Sequence, residues 1–253
     1  MKQTSSTKAL FLDIGGVLLT NGWGHQSRLR AAAYFGLDFD EFNKRHLSIF
    51  DTYESGKMSL EEYLELAVFY QPTNFSMDEF RDFLLSESKP YPEMIKLISN
   101  IKHYYGLRTI AVNNEPKEIN EYRIRQYDLD SFIDVFASSC YVQTRKPDKD
   151  IYHFALNLAQ AKAEEVIYID DRLVLIHAGR KLGLNAIHHT SVASTRDALS
   201  RLGLHYIPAL EQSYECLREE DRGRGPLDLP AEPWQAGRRP GSSQSLDKLN
   251  LIK

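Results

Sequence analysis

Five side chains carry the chemistry this sequence can be read for. Asp13 closes the apolar run in FLDIGGVLL, the neighbours Asp170 and Asp171 close another in VIYIDD, and Arg145 and Lys146 stand before a proline in TRKPDKDIY. Carboxylates brought to one edge repel each other unless a cation sits between them. Hard oxygen ligands with places left for water suit Mg²⁺. With Mg²⁺ offsetting its charge, a phosphate becomes open to in-line attack by Asp13, giving an acyl phosphate that water then hydrolyses. Lys146 offers the positive charge that the phosphoryl oxygens need. It also reads simply as the residue before a helix start, with Pro147, Asp148 and Asp150 in the first turn.

Two further clusters fit the same scheme. Asn113 and Asn114 end the run LRTIAV, where amides can donate to an anion, although turn chemistry alone also places Asn there. Gly15 and Gly16 let the backbone turn tightly, with N–H groups facing an anion and a carbonyl free for a metal. The bland alternative is a strand-to-loop bend.

The elements that must position these residues follow from periodicity. Short apolar runs at 9–12, 107–112, 134–137, 166–169 and 185–187 read as strands buried on both faces. Helical patterns at 94–105, 117–127, 148–159, 176–182 and 194–202 alternate with them. That alternation predicts an α/β fold with a doubly wound parallel sheet, in which ligands gather beyond the C-terminal strand ends. Asp13, Asn113, Asn114, Asp170 and Asp171 all fall at such ends.

One interval breaks the rhythm. Segments 26–35, 39–52, 60–69 and 77–86 are all helical, and Ser59 with Glu62 makes a capping-box signature. The expected organisation is a core over 1–21 and 89–206, an inserted helical cap over 22–88, and a tail over 207–253. The tail holds five of the ten prolines and is expected to be extended or poorly ordered, with Leu227, Leu229 and Trp234 as its few apolar anchors.

Composition excludes several function classes. A net charge of -4 from 31 basic and 35 acidic residues gives no footprint for nucleic acid. Two cysteines, Cys140 and Cys216, lack any zinc spacing. The N-terminal apolar run soon meets charge, so neither a signal peptide nor a membrane span is expected, and a cytoplasmic location is. The expected partner is a small phosphorylated metabolite, with no nucleic acid and no membrane; the oligomeric state is open.

In this order the residues resemble the haloacid dehalogenase-like hydrolase superfamily over 8–206, in the helical-cap branch of the epoxide hydrolase N-terminal phosphatase and bacterial sugar-phosphate phosphatases. The resemblance implies Asp13 as nucleophile, Asn113 at the position of a Ser or Thr, Lys146 as the motif lysine, and Asp171 as principal Mg²⁺ ligand with Asp170 auxiliary. It also implies a cap that closes over substrate and sets specificity. Asp13, Gly15, Asp170 and Asp171 would hold the metal, and Gly15, Gly16, Asn113, Asn114 and Lys146 the phosphate. Asn21, Trp23, His25 and Tyr53 are candidates to line the substrate pocket.

The departures are specific. The family's general acid/base aspartate is Gly15 here, so the carbonyl can still ligate but no side chain carries a proton. Leu175 stands where an outer Asp or Asn often supports the metal. His25 is a candidate proton shuttle. Three functions compete: a Mg²⁺-dependent phosphomonoesterase, a degenerate member that binds a phosphorylated ligand or protein partner, and a 2-haloacid dehalogenase, whose halide leaving group needs no proton.

Overall fold

The computed structural model describes residues 7–208. Strands β1 (Ala9–Leu12), β2 (Arg108–Ala111), β3 (Val135–Phe136), β4 (Val166–Asp170) and β5 (Asn185–His188) form one parallel sheet in the order β3-β2-β1-β4-β5. The apolar runs produce this because β1 and β4 are buried along their whole length. Alternation then divides β1 between two layers. Leu10 and Leu12 pack against α5 (Pro92–Tyr105) and α10 (Val192–Arg201), whereas Ala9 and Phe11 face α8 (Lys149–Ala159) and α9 (Leu173–Lys181).

The register sets up the site. Leu12 lies opposite Ala111 on one side and Ile169 on the other, so the residues that follow all three strands emerge at one level. The chain builds outward from β1 through β2 to β3, then returns to place β4 on the other side of β1. The strand order therefore reverses at the β1/β4 boundary, where Asp13 leaves one strand and Asp170 ends its neighbour.

Helices α1 (His25–Phe35), α2 (Phe39–Glu54), α3 (Leu60–Ala67) and α4 (Met77–Ser86) form the insertion between β1 and α5. Serines start two of them cleanly, because Ser59 and Ser76 each complete a capping box with Glu62 and Glu79. The apolar faces close on a separate cluster that includes Trp23, Phe42, Tyr63 and Phe80. Its two linkers run side by side, with Thr20 N–H donating to Lys89 O (2.8 Å) and Tyr91 N–H to Leu18 O (2.9 Å). Two helices complete the set: α6 (Lys117–Gln126) and α7 (Ser139–Val142), the latter a single turn too short for periodicity to show.

Among the described residues no helix is long and apolar enough to cross a membrane. The expectation for the tail, including Leu227, Leu229 and Trp234, falls outside the described residues beyond Pro208.

Candidate active site

Asp13 is fixed from both directions. Its N–H extends the β1/β4 ladder by donating to Ile169 O (2.9 Å), and its Oδ1 accepts from Ile14 N–H (2.9 Å) and lies 3.1 Å from Lys146 Nζ. Lys146 Nζ donates at 2.6 Å to Asp170 Oδ2, which the Tyr168 hydroxyl also reaches, while Arg172 N–H donates to Asp170 Oδ1 (2.8 Å). Asp170 is thereby committed to the protein. Asp171 is not: its Oδ1 is buried and has no hydrogen-bond partner. One carboxylate oxygen from each of Asp13, Asp170 and Asp171 lies within 4.8 Å of the others.

That crowding shows in the ionisation of the group. Burial raises the Asp13 carboxyl, Asp170 and Asp171 add to the effect and Lys146 opposes it, leaving it at about 7. Burial and Asp170 raise Asp171 as well, against a hydrogen bond from Asn21. Burial works against the Lys146 charge, but Asp13 and Asp170 outweigh it and hold its pKa above the usual lysine range. An orphaned carboxylate oxygen beside two further acids is the donor set that a hard divalent cation fits.

The sequence-predicted residues divide on inspection. Asp13, Gly15, Asn21, Trp23, His25, Asn114, Lys146 and Asp171 line one cavity of about 930 Å³. Asn113 does not. Its amide donates to Asn120 Oδ1 (3.1 Å) and its carbonyl accepts from Ser138 Oγ (2.7 Å), so the side chain is spent inside the core. Asn114 clamps Lys146, donating to its carbonyl (2.9 Å) and accepting from its N–H (2.8 Å). The Gly16 N–H goes to Leu19 O (2.7 Å), so it closes the turn and does not face an anion. Gly16 is nevertheless required. It has φ +79°, and a Cβ there would stand 2.2 Å from Asp171 Oδ2.

Trp23 belongs partly to packing, since its indole donates to Tyr63 Oη (2.8 Å) and its ring meets Phe42 and Phe80. Tyr53 is fully buried, stacked on Tyr63 at 4.5 Å, and is absent from the cavity wall; it is insertion core and does not line the pocket. His25 rests edge-on against Phe39. His188 Nε2–H donates to Asp171 O (2.9 Å), holding the backbone of that residue.

Two groups of residues had no sequence signal. The first is Arg123 with its partners beside Gly15, where a Cβ would meet Arg123 Nη1 at 3.6 Å and the sequence candidate Asn21 at 3.3 Å. Arg123, on α6, is fully buried and pairs with Glu115, while its Nε donates to Ser88 Oγ (3.0 Å) and its Nη2 to Thr20 O (3.1 Å). The second group is Glu54 at the end of α2, which pairs with Arg145 beside Asp51. Periodicity places Arg123 on an amphipathic helix and Glu54 at the end of an insertion helix, and alone shows neither contact.

Residues 7–183 match the haloacid dehalogenase-like hydrolase family. Sesquiterpene phosphatase astK of Aspergillus oryzae is 29% identical over 115 residues, 45% of this chain and 58% of that protein. Bifunctional epoxide hydrolase 2 of Sus scrofa is 29% identical over 119 residues, 46% of this chain but 21% of that protein. The chain thus spans little more than half of the first relative and about a fifth of the second. A solved structure of a HAD family enzyme from Bacteroides thetaiotaomicron superposes with a TM-score of 0.63 at 16% identity, covering 72% of this chain and 93% of that one.

Proposed function

The chain belongs to the haloacid dehalogenase-like hydrolase family, and from that premise we propose that it is a Mg²⁺-dependent phosphomonoesterase acting on a small phosphorylated metabolite. The observation that carries this is the meeting of Asp13, Asp170 and Asp171 within 4.8 Å, with Lys146 joining the first two. The orphaned Oδ1 of Asp171, the carboxylate of Asp13 and the Gly15 carbonyl are the ligands, with Asp170 steadying Lys146. A bound Mg²⁺ supplies Lewis-acid polarisation of the phosphate.

Asp13 is then the nucleophile, attacking phosphorus in line and carrying the phosphoryl group until water removes it. Lys146 restrains the attacking carboxylate and offsets phosphoryl charge, and Asn114 acts by holding the Lys146 backbone. The names of the two relatives, a phosphatase and an epoxide hydrolase, agree with hydrolysis and do not choose the substrate here.

The test is phosphate release from an aryl phosphate and a sugar-phosphate panel, with Mg²⁺ or EDTA, for wild type and Asp13→Asn. Metal-dependent release that Asp13→Asn abolishes is expected. The bare side chain of Gly15 favours a second reading, in which the site binds a phosphorylated ligand without turnover. That reading requires thermal stabilisation by phosphate mimics and no release from any substrate.

A further inference from the structure

Hydrolysis of a phosphate monoester through Asp13 needs a proton delivered to the departing oxygen and another removed from water. Gly15 has no side chain for either step, and a Cβ there would already meet Asn21 Oδ1 at 3.3 Å and Arg123 Nη1 at 3.6 Å. In-line attack also fixes where the departing oxygen must lie, because it leaves from the side of phosphorus opposite Asp13. Asp13, at the end of β1, lines one cavity together with residues of the insertion. The insertion supplies titratable side chains to the wall of this cavity.

The titratable groups on that wall are few. His46 is held neutral, since burial and Arg28 lower its pKa to about 3, and its Nδ1 is taken up by the Tyr63 hydroxyl (2.8 Å). Glu87 pairs with Arg30, His25 is exposed and rests edge-on against Phe39, and Asp51 is 84% exposed. Glu54 is different. Like Glu87 it pairs with an arginine, Arg145, but it is buried, lines the cavity, and feels the neighbours of two site residues: Arg145, which precedes Lys146, and Arg172, which follows Asp171.

The turn carrying Glu54 is docked firmly on the core. Ser139 Oγ donates to Glu54 O and in turn accepts from Glu115 N–H (2.9 Å), so one hydroxyl joins the insertion to the loop after β2. Two residues on, Gly56 has φ +68° and packs so closely on Cys140 O that a Cβ would stand 2.2 Å from it. A mobile surface carboxylate would have neither restraint.

We propose that Glu54, brought in by the insertion, is the acid and base that Gly15 does not supply; this rests on the phosphomonoesterase reading. In the first step the Asp13–phosphorus bond forms, the phosphorus–oxygen bond to the leaving group breaks, and the Glu54 proton passes to that oxygen, releasing the alcohol. In the second, water attacks phosphorus, the bond to Asp13 breaks, and the water proton passes to Glu54. Phosphate departs and both carboxyl groups return to their starting states.

The ionisation of Glu54 agrees with this role. Burial raises it, Arg145 and Arg172 oppose that, Asp51 adds to it, and the result is about 7, so acid and base forms coexist near neutrality.

The decisive experiment compares wild type, Asp13→Asn, Glu54→Gln, Glu54→Asp and Arg145→Gln on an alkyl phosphate and on p-nitrophenyl phosphate across pH 5.5–9, with folding checked by thermal melts. Glu54→Gln is expected to lose ~10²–10⁴-fold on the alkyl substrate and far less in kcat/KM on the aryl one, whose leaving group needs no proton. The fall of kcat/KM above neutral pH should vanish in Glu54→Gln, return in part in Glu54→Asp, and move to higher pH in Arg145→Gln, where an opposing cation is gone. Equal losses on both substrates with an unchanged pH profile would make Glu54 a docking residue only and overturn the proposal. Folded wild type and Asp13→Asn equally inactive on both substrates would overturn the phosphomonoesterase reading beneath it.

Discussion

Arg123 Nη1 lies 3.6 Å from the point where a Cβ on Gly15 would stand. The guanidinium also presses on Gly22, where a Cβ would come within 1.8 Å of Nη2 and φ is +58°. Arg123 thus fills the space that two glycines leave, and from there it reaches Thr20 on one linker of the insertion and Ser88 beside the other. Tyr127, one helical turn on, donates to Ser88 O. Burial lowers the Arg123 pKa to about 10, which still leaves it charged at neutral pH.

A buried pair of this kind has an asymmetric response to mutation. Arg123→Met strands the Glu115 carboxylate, whose Oε2 already has no partner, and is expected to cost about 3–5 kcal/mol in urea unfolding. Arg123→Met combined with Glu115→Gln removes the stranded charge and should recover a large part of that loss. A double variant no more stable than the single one would show that the contacts to Thr20 and Ser88 matter and the charge does not.

The adjacent glycines separate by the same reasoning. Gly15→Ala meets its nearest neighbours at 3.3 and 3.6 Å in an ordinary backbone conformation, and should fold with near wild-type stability. Gly16→Ala requires a left-handed backbone at about 1–2 kcal/mol and drives a methyl into Asp171 Oδ2. It should lose Mg²⁺-induced thermal stabilisation that Gly15→Ala retains. Equal retention in both variants would remove Asp171 from the ligand set.

The strands, the helical insertion and the acidic cluster were legible because each rests on local pattern. Buried parallel strands read as continuous apolar runs, and chemistry collects at their C-terminal ends. Side-chain direction was not legible. Asn113 and Asn114 are consecutive and of one type, yet one is consumed by Asn120 and Ser138 while the other clamps Lys146. Tyr53 looked like a pocket residue because position along the chain does not say which side of α2 faces the core. Arg123 and Glu54 were hidden for a further reason: charged residues on amphipathic helices usually face solvent, and only the tertiary contact turns them inward.

The ionisation of Asp13 gives the cation a measurable pH signature. Its native carboxyl, pushed up to about 7, holds a proton that the unfolded chain releases near its ordinary 3.8. Native protein without metal therefore binds the extra proton between those values, and the Asp13 contribution to stability falls as pH rises through that window and levels off above it. Mg²⁺ needs the carboxylate, so below about 7 it must displace the proton, and its affinity should fall as pH drops. Asp171, raised in the same direction, steepens the effect. Melts with MgCl₂ against EDTA should show a larger metal-induced rise in Tm at pH 8 than at pH 5.5, and Asp13→Asn should show little rise at either. A wild-type rise of equal size at both pH values would mean that Asp13 does not ligate the cation.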